Sequence, residues 1–323
     1  MAILPFFGSS ALLTSTIYFV LVFVFTVNRS RIISFIGKFL TPIIALILLA
    51  IISIALVSSQ TVIGDSSFAL PLVSGVLEGY QTFDAIAGVV VGAVIIISLN
   101  LRGHTSFDAK KELIRKAGII AGTGLLLIYG GLIFAGSLYA SSFAEGASRT
   151  QVLSALSSLT LDNIGTACLS VLVALACFTT AVGVVTGASD YAKELFGNSQ
   201  KAYVLAALVC SVVGIVVGSF EVDIIIDVAV PALMFLYPIT IVLIVLNTIP
   251  DRFASAFVFR AVVLVTFIFS IPDFLGFIIT TDYLVGIKNW IPLANDNLGW
   301  VLPAILTGVL ANMIHSKGQT LET

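Results

Sequence analysis

Charge is what this chain has least of: Asp, Glu, Lys and Arg make up 10% of its 323 residues, against about 25% in an average soluble domain. So few charges cannot cover a water-soluble protein of this size, which excludes a soluble globular fold. A net charge of −2 excludes bulk attraction to nucleic acid. Histidine is scarce as well. The two present, His104 and His315, stand at the ends of apolar stretches, and neither lies beside a serine inside one. There is no HExxH, no aspartate pair in an intramembrane-protease context and no Walker motif. Hydrolases and ATP-driven pumps are thereby excluded, and the chain is read as not an enzyme. No filter-like repeat points to a channel. The three cysteines, Cys168, Cys177 and Cys210, lie in apolar runs without CxxC or metal-ligand spacing. They are expected to be buried, reduced thiols.

What is present is apolar: 59% of residues are hydrophobic and mean hydropathy is +1.15. A helix needs about 20 mostly apolar residues to cross a bilayer. Nine stretches qualify: Phe6–Val27, Phe39–Val57, Phe83–Leu99, Ile114–Tyr139, Ile164–Ala188, Ala202–Ser219, Ile224–Leu246, Phe257–Ile279 and Leu298–His315. They are continuous rather than alternating, which rules out a β-barrel. The expected fold class is an all-α polytopic membrane protein in one membrane domain, with the lipid bilayer as its solvent.

Basic residues alternate along the loops. Arg29, Arg31 and Lys38 follow the first stretch, and Arg102, Lys110, Lys111, Arg115 and Lys116 follow the third. Lys193 and Lys201 follow the fifth, Arg252 and Arg260 the seventh, and Lys317 lies in the tail. Of the 15 Lys and Arg only Arg149 and Lys288 fall on the other side. The positive-inside rule places the larger group, and the C-terminus, in the cytoplasm. The N-terminus is then outside, although only Met1 to Pro5 precede the first stretch. That start would be natural if an odd number of earlier spans were missing, so an amino-truncated transporter is expected. Trp290 and Trp300 flank the last outer loop, where interfacial aromatics belong.

Several polar groups lie at membrane depth. Gly79-Tyr80-Gln81-Thr82-Phe83-Asp84-Ala85-Ile86-Ala87-Gly88 opens the third stretch. Asp84 either faces a cavity or ligand or caps the helix N-terminus, where its charge suits the dipole. Gly88 and Gly92 either leave backbone open to a ligand or form a small-xxx-small packing face. In the fifth stretch, Ala176 with Thr179 and Thr180 offers neutral oxygens to a small hard cation such as sodium. Alternatively, each hydroxyl bonds back to its own helix. In the seventh, Asp223 and Asp227 share a face, and Asp227 is either a gate or proton site or a solvated helix entrance. Pro231 and Pro238 each remove a helical hydrogen bond and predict a kinked or broken helix. Asp273, after Pro272, either marks another helix break or sits in a vestibule. Gly118/Gly122, Gly183/Gly187 and Gly214/Gly218 predict close helix packing. Tyr139–Asp162 reads as a mobile outer loop, and residues after Lys317 as a disordered tail.

Gly79-Tyr80-x-Thr82-x-Asp84 with its following basic loop, Cys177-Phe178-Thr179-Thr180-Ala181-Val182-Gly183, and Val230-Pro231-Ala232-Leu233 with Tyr237-Pro238 resemble the branched-chain amino acid carrier family (BrnQ, the LIV-II carriers). The resemblance runs in order from about residue 6 to the tail. It implies symport of leucine, isoleucine and valine with Na+ or H+ across the bacterial plasma (inner) membrane, with no other cofactor. A proton-coupled carrier of the same superfamily and a non-transporting fragment or scaffold are the alternatives. It also implies a LeuT-like inverted repeat of twelve spans, of which these nine are the fourth to twelfth. By similarity the substrate would meet unwound backbone at Thr82, Asp84, Ala85 and Gly88. Sodium would meet Ala176, Thr179 and Thr180. Ile86, Val89, Val90 and Phe178 would supply apolar pocket surface. The missing first helix should hold the other half of both sites, so the chain alone is expected not to transport.

Overall fold

The computed structural model describes residues 11–28, 36–58, 70–101, 103, 106–143, 149–220, 222–250, 253–278, 286 and 288–321. The expectations on Met1 to Pro5, the start of the first stretch, and Arg29, Arg31, Arg102, His104 and Arg252 lie outside the described residues, as does the side chain of Asp223. The described residues form α-helices and short turns: α1 (Ala11–Val27), α2 (Thr41–Ser58, entered through a π-turn at Ile36–Leu40), α3 (Pro71–Tyr80), α4 (Asp84–Leu101), α5 (Phe107–Leu138), α6 (Arg149–Leu195), α7 (Gln200–Val217), α8 (Val222–Thr248), α9 (Ala256–Ile278) and α10 (Val301–Leu321). Helices are the expected answer of an apolar chain, because in lipid every backbone N–H and C=O must find its partner within the segment.

Among the described residues, seven helical segments are long and apolar enough to cross a membrane: Lys38–Val57, Pro71–Asn100, Phe107–Leu138, Ala167–Leu195, Gln200–Val217, Ile224–Thr248 and Ala256–Gly276. Ala11–Val27 and Val301–Ile314 are apolar but shorter. Their outer faces carry bare hydrocarbon: Leu126 on α5 is 73% exposed and Val228 on α8 is 72% exposed. Water would not tolerate so much contiguous apolar surface.

The chain divides into two compact units, one of Met1–Ala69 with Val90–Ser219, the other of Leu70–Val89 with Phe220–Thr323. In the first, α6 packs against α1, α2 and α7, and α2 against α5. Lipid tails are as apolar as leucine, so close packing rather than escape from water holds such helices together. Gly214 shows this. A Cβ there would overlap the Phe19 ring, and Gly218 lets Ser15 Oγ donate to its own carbonyl at 2.8 Å. Gly187 likewise lies under Val90 and Val94. Gly118 and Gly122 have open space beside them among the described residues, so their spacing does not mark a helix contact.

Four expectations are corrected. The segment read as the loop Tyr139–Asp162 holds a 3-10 turn at Ala140–Ser142 and then α6, which begins at Arg149. That helix doubles back. Ser157 Oγ donates to Gly165 O at 2.7 Å across eight residues, which a straight helix would hold about 12 Å apart. Leu156, on the arm before the bend, packs with Ile51, Ala55 and Ala135. Second, α8 runs through Pro231 and Pro238, and third, α9 runs through Pro272 and Asp273. Neither is broken, because the turns on either side of a proline keep their own hydrogen bonds. Fourth, the tail continues α10 as helix to Leu321.

In the second unit α9 packs against both α8 and α10. Its core is Val242, Leu246, Val258, Val262, Trp300, Ala304 and Ala311. Trp300, expected at the membrane surface, is 6% exposed, whereas Trp290 is 89% exposed.

Candidate functional site

The third apolar stretch is not one helix. Pro71 opens α3 at a position where its missing N–H costs nothing. The helix ends at Tyr80, and α4 starts at Asp84. Between them, Gln81 N–H donates to Leu77 O at 3.2 Å, Thr82 N–H to Gly79 O at 3.2 Å, and Phe83 N–H to Tyr80 O at 3.4 Å. Thr82 Oγ1 also donates to Gly79 O at 2.8 Å. The turn is completed by Phe83, which has φ of 55°. A bulky residue in the left-handed region costs about 1–2 kcal/mol, so something must hold it. The Phe83 ring stands edge-on to Tyr237 at 5.2 Å, and Tyr80 stands edge-on to the same ring at 4.9 Å. Tyr237, buried on α8, thus braces both sides of the break. Trp300 Nε1–H donates to Tyr80 OH at 3.2 Å.

The break lies at 81–83, just before the window Asp84 to Gly88 in which unwound backbone was expected. Asp84 occupies the first turn of α4 and is exposed. The N–H groups of a first turn have no partner within their helix and carry its positive pole. A carboxylate there offsets that pole, so the spot suits an ammonium or a metal cation better than a second carboxylate. Ala85 is half-buried and Gly88 exposed, and neither Gly88 nor Gly92 has anything within 4 Å of an added Cβ. The packing-face reading of these glycines finds no partner helix among the described residues.

The threonine pair lies in the other unit, in the regular stretch of α6 beyond its bend. Thr179 Oγ1 donates to Ala176 O at 2.9 Å and Thr180 Oγ1 to the same oxygen at 3.0 Å. With the helix's own N–H, that carbonyl serves three donors on two lone pairs, which leaves it poorly placed as a cation ligand. Each hydroxyl, having given its one proton, still has lone pairs to offer. Beside them, Phe178 stands edge-on to Tyr18 at 6.0 Å and Phe25 at 4.9 Å. Its ring is committed to the α1–α6 contact rather than to a pocket wall. Cys177 is exposed, not buried as expected; all three cysteines are free.

The branched-chain amino acid transport protein family model matches residues 1–318. This chain belongs to that family. It is 33% identical to the branched-chain amino acid transport system 2 carrier protein of Pseudomonas aeruginosa, over 96% of this chain and 72% of that one. It is 30% identical to the branched-chain amino acid permease BraB of Bacillus subtilis, over 94% of this chain and 69% of that one. It is 28% identical to the permease BrnQ of Escherichia coli K12, over 96% and 71%. No solved structure matches. Membership makes the chain a transport protein rather than an enzyme.

Two further carboxylates of this family member complete the inventory. Asp227 is exposed on α8. Pro231, four residues on, brings no N–H, so the Asp227 carbonyl has no helical donor and two kinds of oxygen sit together there. Asp273, read from the sequence as a helix breaker, is instead 3% exposed inside α9. Its Oδ1 lies 3.2 Å from Lys288 Nζ, yet neither carboxylate oxygen receives a well-directed hydrogen bond among the described residues. Distance and direction disagree here. We treat the contact as an ion pair with poor hydrogen-bond geometry, since charge attraction does not need alignment. Sequence reasoning missed α3, the brace on Tyr237 and this pair. Pro71 was a signal for α3; nothing local signals the other two. Among the described residues no three His, Cys, Asp or Glu side chains converge to hold a metal ion.

Proposed function

We propose that this chain is a secondary carrier that moves leucine, isoleucine and valine across the bacterial plasma membrane, coupled to sodium entry. The observation that supports it best is the helix broken at 81–83 inside an apolar span. Lipid forbids exposed irregular backbone, so such a break belongs beside a cavity or ligand. In this reading Asp84 takes the substrate's α-ammonium group, Thr82 and Ala85 border the bound amino acid, and Gly88 leaves room for the aliphatic chain. The hydroxyls of Thr179 and Thr180, with Ala176, belong to the sodium site. Nine spans in a LeuT-like arrangement, with α3 and α4 as one interrupted span, accommodate the alternating basic loops. The N-terminus is then outside and the C-terminus cytoplasmic. Accessibility tags on both ends found in one compartment would overturn that topology.

The test is uptake of labelled leucine by cells that lack their own branched-chain carriers and express this protein from its gene. The expected result is uptake driven by an inward sodium gradient and competed by isoleucine and valine. One methylene discriminates by only about 1–3 kcal/mol, so the three should compete within roughly 200-fold of one another. No sodium-stimulated uptake would overturn the proposal and favour the expectation from sequence that these nine spans alone do not transport. A proton-coupled rival draws support from the two threonine hydroxyls, both already bonded within α6, and from exposed Asp227. Replacing both threonines by alanine separates the two: sodium dependence that survives favours the rival.

A further inference from the structure

Residues 288–300, which lead into α10, fold through tight turns and are held at both ends. Lys288 N–H groups face two acceptors, Asp273 Oδ1 at 3.2 Å on α9 and Asn297 Oδ1 at 3.4 Å. Lys288 passes beside Gly276, one turn beyond Asp273, where a Cβ would lie 3.4 Å from Nζ. From Lys288 the chain winds through successive turns. Ala294 N–H donates to Ile291 O at 3.1 Å, Asn297 N–H to Ala294 O at 3.1 Å and Leu298 N–H to Leu293 O at 3.0 Å. Leu293 and Asn297 take left-handed φ of 65° and 57°. Gly299 is required, since a Cβ would come within 3.0 Å of Ala294 Cβ. The far end is Trp300, buried and donating to Tyr80 OH. Tyr80 is the last residue before the helix break and shares the Tyr237 brace with Phe83.

A continuous set of contacts therefore runs from the ion pair through the 288–300 segment to the break, all within one compact unit. We propose that Asp273 and Lys288 form a clasp that holds this segment down and, through Trp300 and Tyr80, sets the conformation of the α3–α4 break. They are positioning residues, not ligands. Two features make the clasp able to open. A buried pair without good supporting hydrogen bonds repays its desolvation badly, and Lys288, with its side chain 20% exposed, is less enclosed than Asp273 at 3%. Two residues in left-handed conformation also store strain in the segment being held. The proposal rests on the break being the substrate site, but its test does not depend on transport.

The test is thiol labelling at the break. In the protein with Cys168, Cys177 and Cys210 replaced by serine, Gln81→Cys is labelled with a membrane-impermeant maleimide. Asp273→Asn, Lys288→Gln and Trp300→Phe are each expected to raise the labelling rate at least about fivefold, the low end of coupling between sites. The exchanged pair Asp273→Lys with Lys288→Asp should return it to within about twofold of the parent. If the exchanged protein does not reach the membrane, Lys288→Arg serves instead and should label like the parent. Unchanged labelling in both Asp273→Asn and Lys288→Gln would overturn the clasp, as would equal labelling in Lys288→Arg and Lys288→Gln. Leucine uptake, measured alongside, fails in every variant and in the parent if the transport reading is wrong, while the labelling result stands by itself.

Discussion

The break at 81–83 and the threonine turn of α6 face the same problem and answer it in opposite ways. Both place polar atoms inside an apolar span, where an unmet hydrogen bond costs several kcal/mol. Around the break the helix stops, Phe83 accepts a left-handed backbone and three aromatic rings from α3, α8 and the turn itself hold it there. In α6 the helix carries on, and Thr179 and Thr180 turn their hydroxyls onto Ala176 O. The first arrangement is strained, and its N–H groups at 81–83 and Thr82 Oγ1 are bonded back within the turn. The second is relaxed, with both hydroxyls bonded back to the helix. A ligand at the break would meet the exposed carboxylate of Asp84. A cation at the threonines needs lone pairs only, or a rotation that frees Ala176 O.

The comparison is broken most severely by filling the space beside the break. Gly88→Leu adds a side chain that meets nothing in the fold, so protein should still reach the membrane while leucine uptake falls by about 100-fold or more, the loss expected when a substrate's place is taken. Normal uptake in that variant would move the substrate elsewhere. Next in size is Asp84→Asn. A hydrogen bond to a charged group contributes about 1.5–3 kcal/mol, so the leucine concentration for half-maximal uptake should rise roughly 10- to 150-fold.

Replacing Thr179 and Thr180 together by alanine sharpens the other half. Hydroxyls bonded back to their own helix add little stability, so the melting temperature of the purified protein should hardly move. The sodium concentration for half-maximal uptake should rise about tenfold, as loss of about 1.4 kcal/mol of ligation implies.

The smallest effect is the most diagnostic of the backbone. At position 83, Phe83→Gly should be more stable than Phe83→Ala by about 1 kcal/mol, because only glycine takes a left-handed φ freely. At position 180 the order should reverse, Thr180→Ala exceeding Thr180→Gly by about 1 kcal/mol, because α6 is a regular helix there. Thermal unfolding in detergent reads both, and the same order at the two positions would mean that the two segments are not different after all.

Much of this was legible beforehand, and the failures have physical causes. Long apolar runs reveal spanning helices because transfer into lipid adds up residue by residue, with little help from neighbours. The short α3 was hidden because Gly75, Glu78 and Gly79 dilute its apolar character. The arm of α6 around Ser157 looked like a loop because serines are read as solvent-facing. It is held instead by Leu156, whose partners lie about 20 to 100 residues away in the chain. Pro231 and Pro238 predict a kinked or broken helix and Pro272 a break, whereas a helix supported on its flanks loses one hydrogen bond at each and continues.

The sequence by itself determined the solvent, the helical class and the family, all of which follow from composition, run length and short motifs. Only the tertiary structure decided what the acidic residues do. Asp84 and Asp227 are exposed while Asp273 is buried against Lys288, although all three stand in similarly apolar surroundings along the chain. The reason is that burial of a charge depends on which helices pack around it. A lysine fifteen residues away can compensate a carboxylate only after α9 and the following turn have been folded against each other.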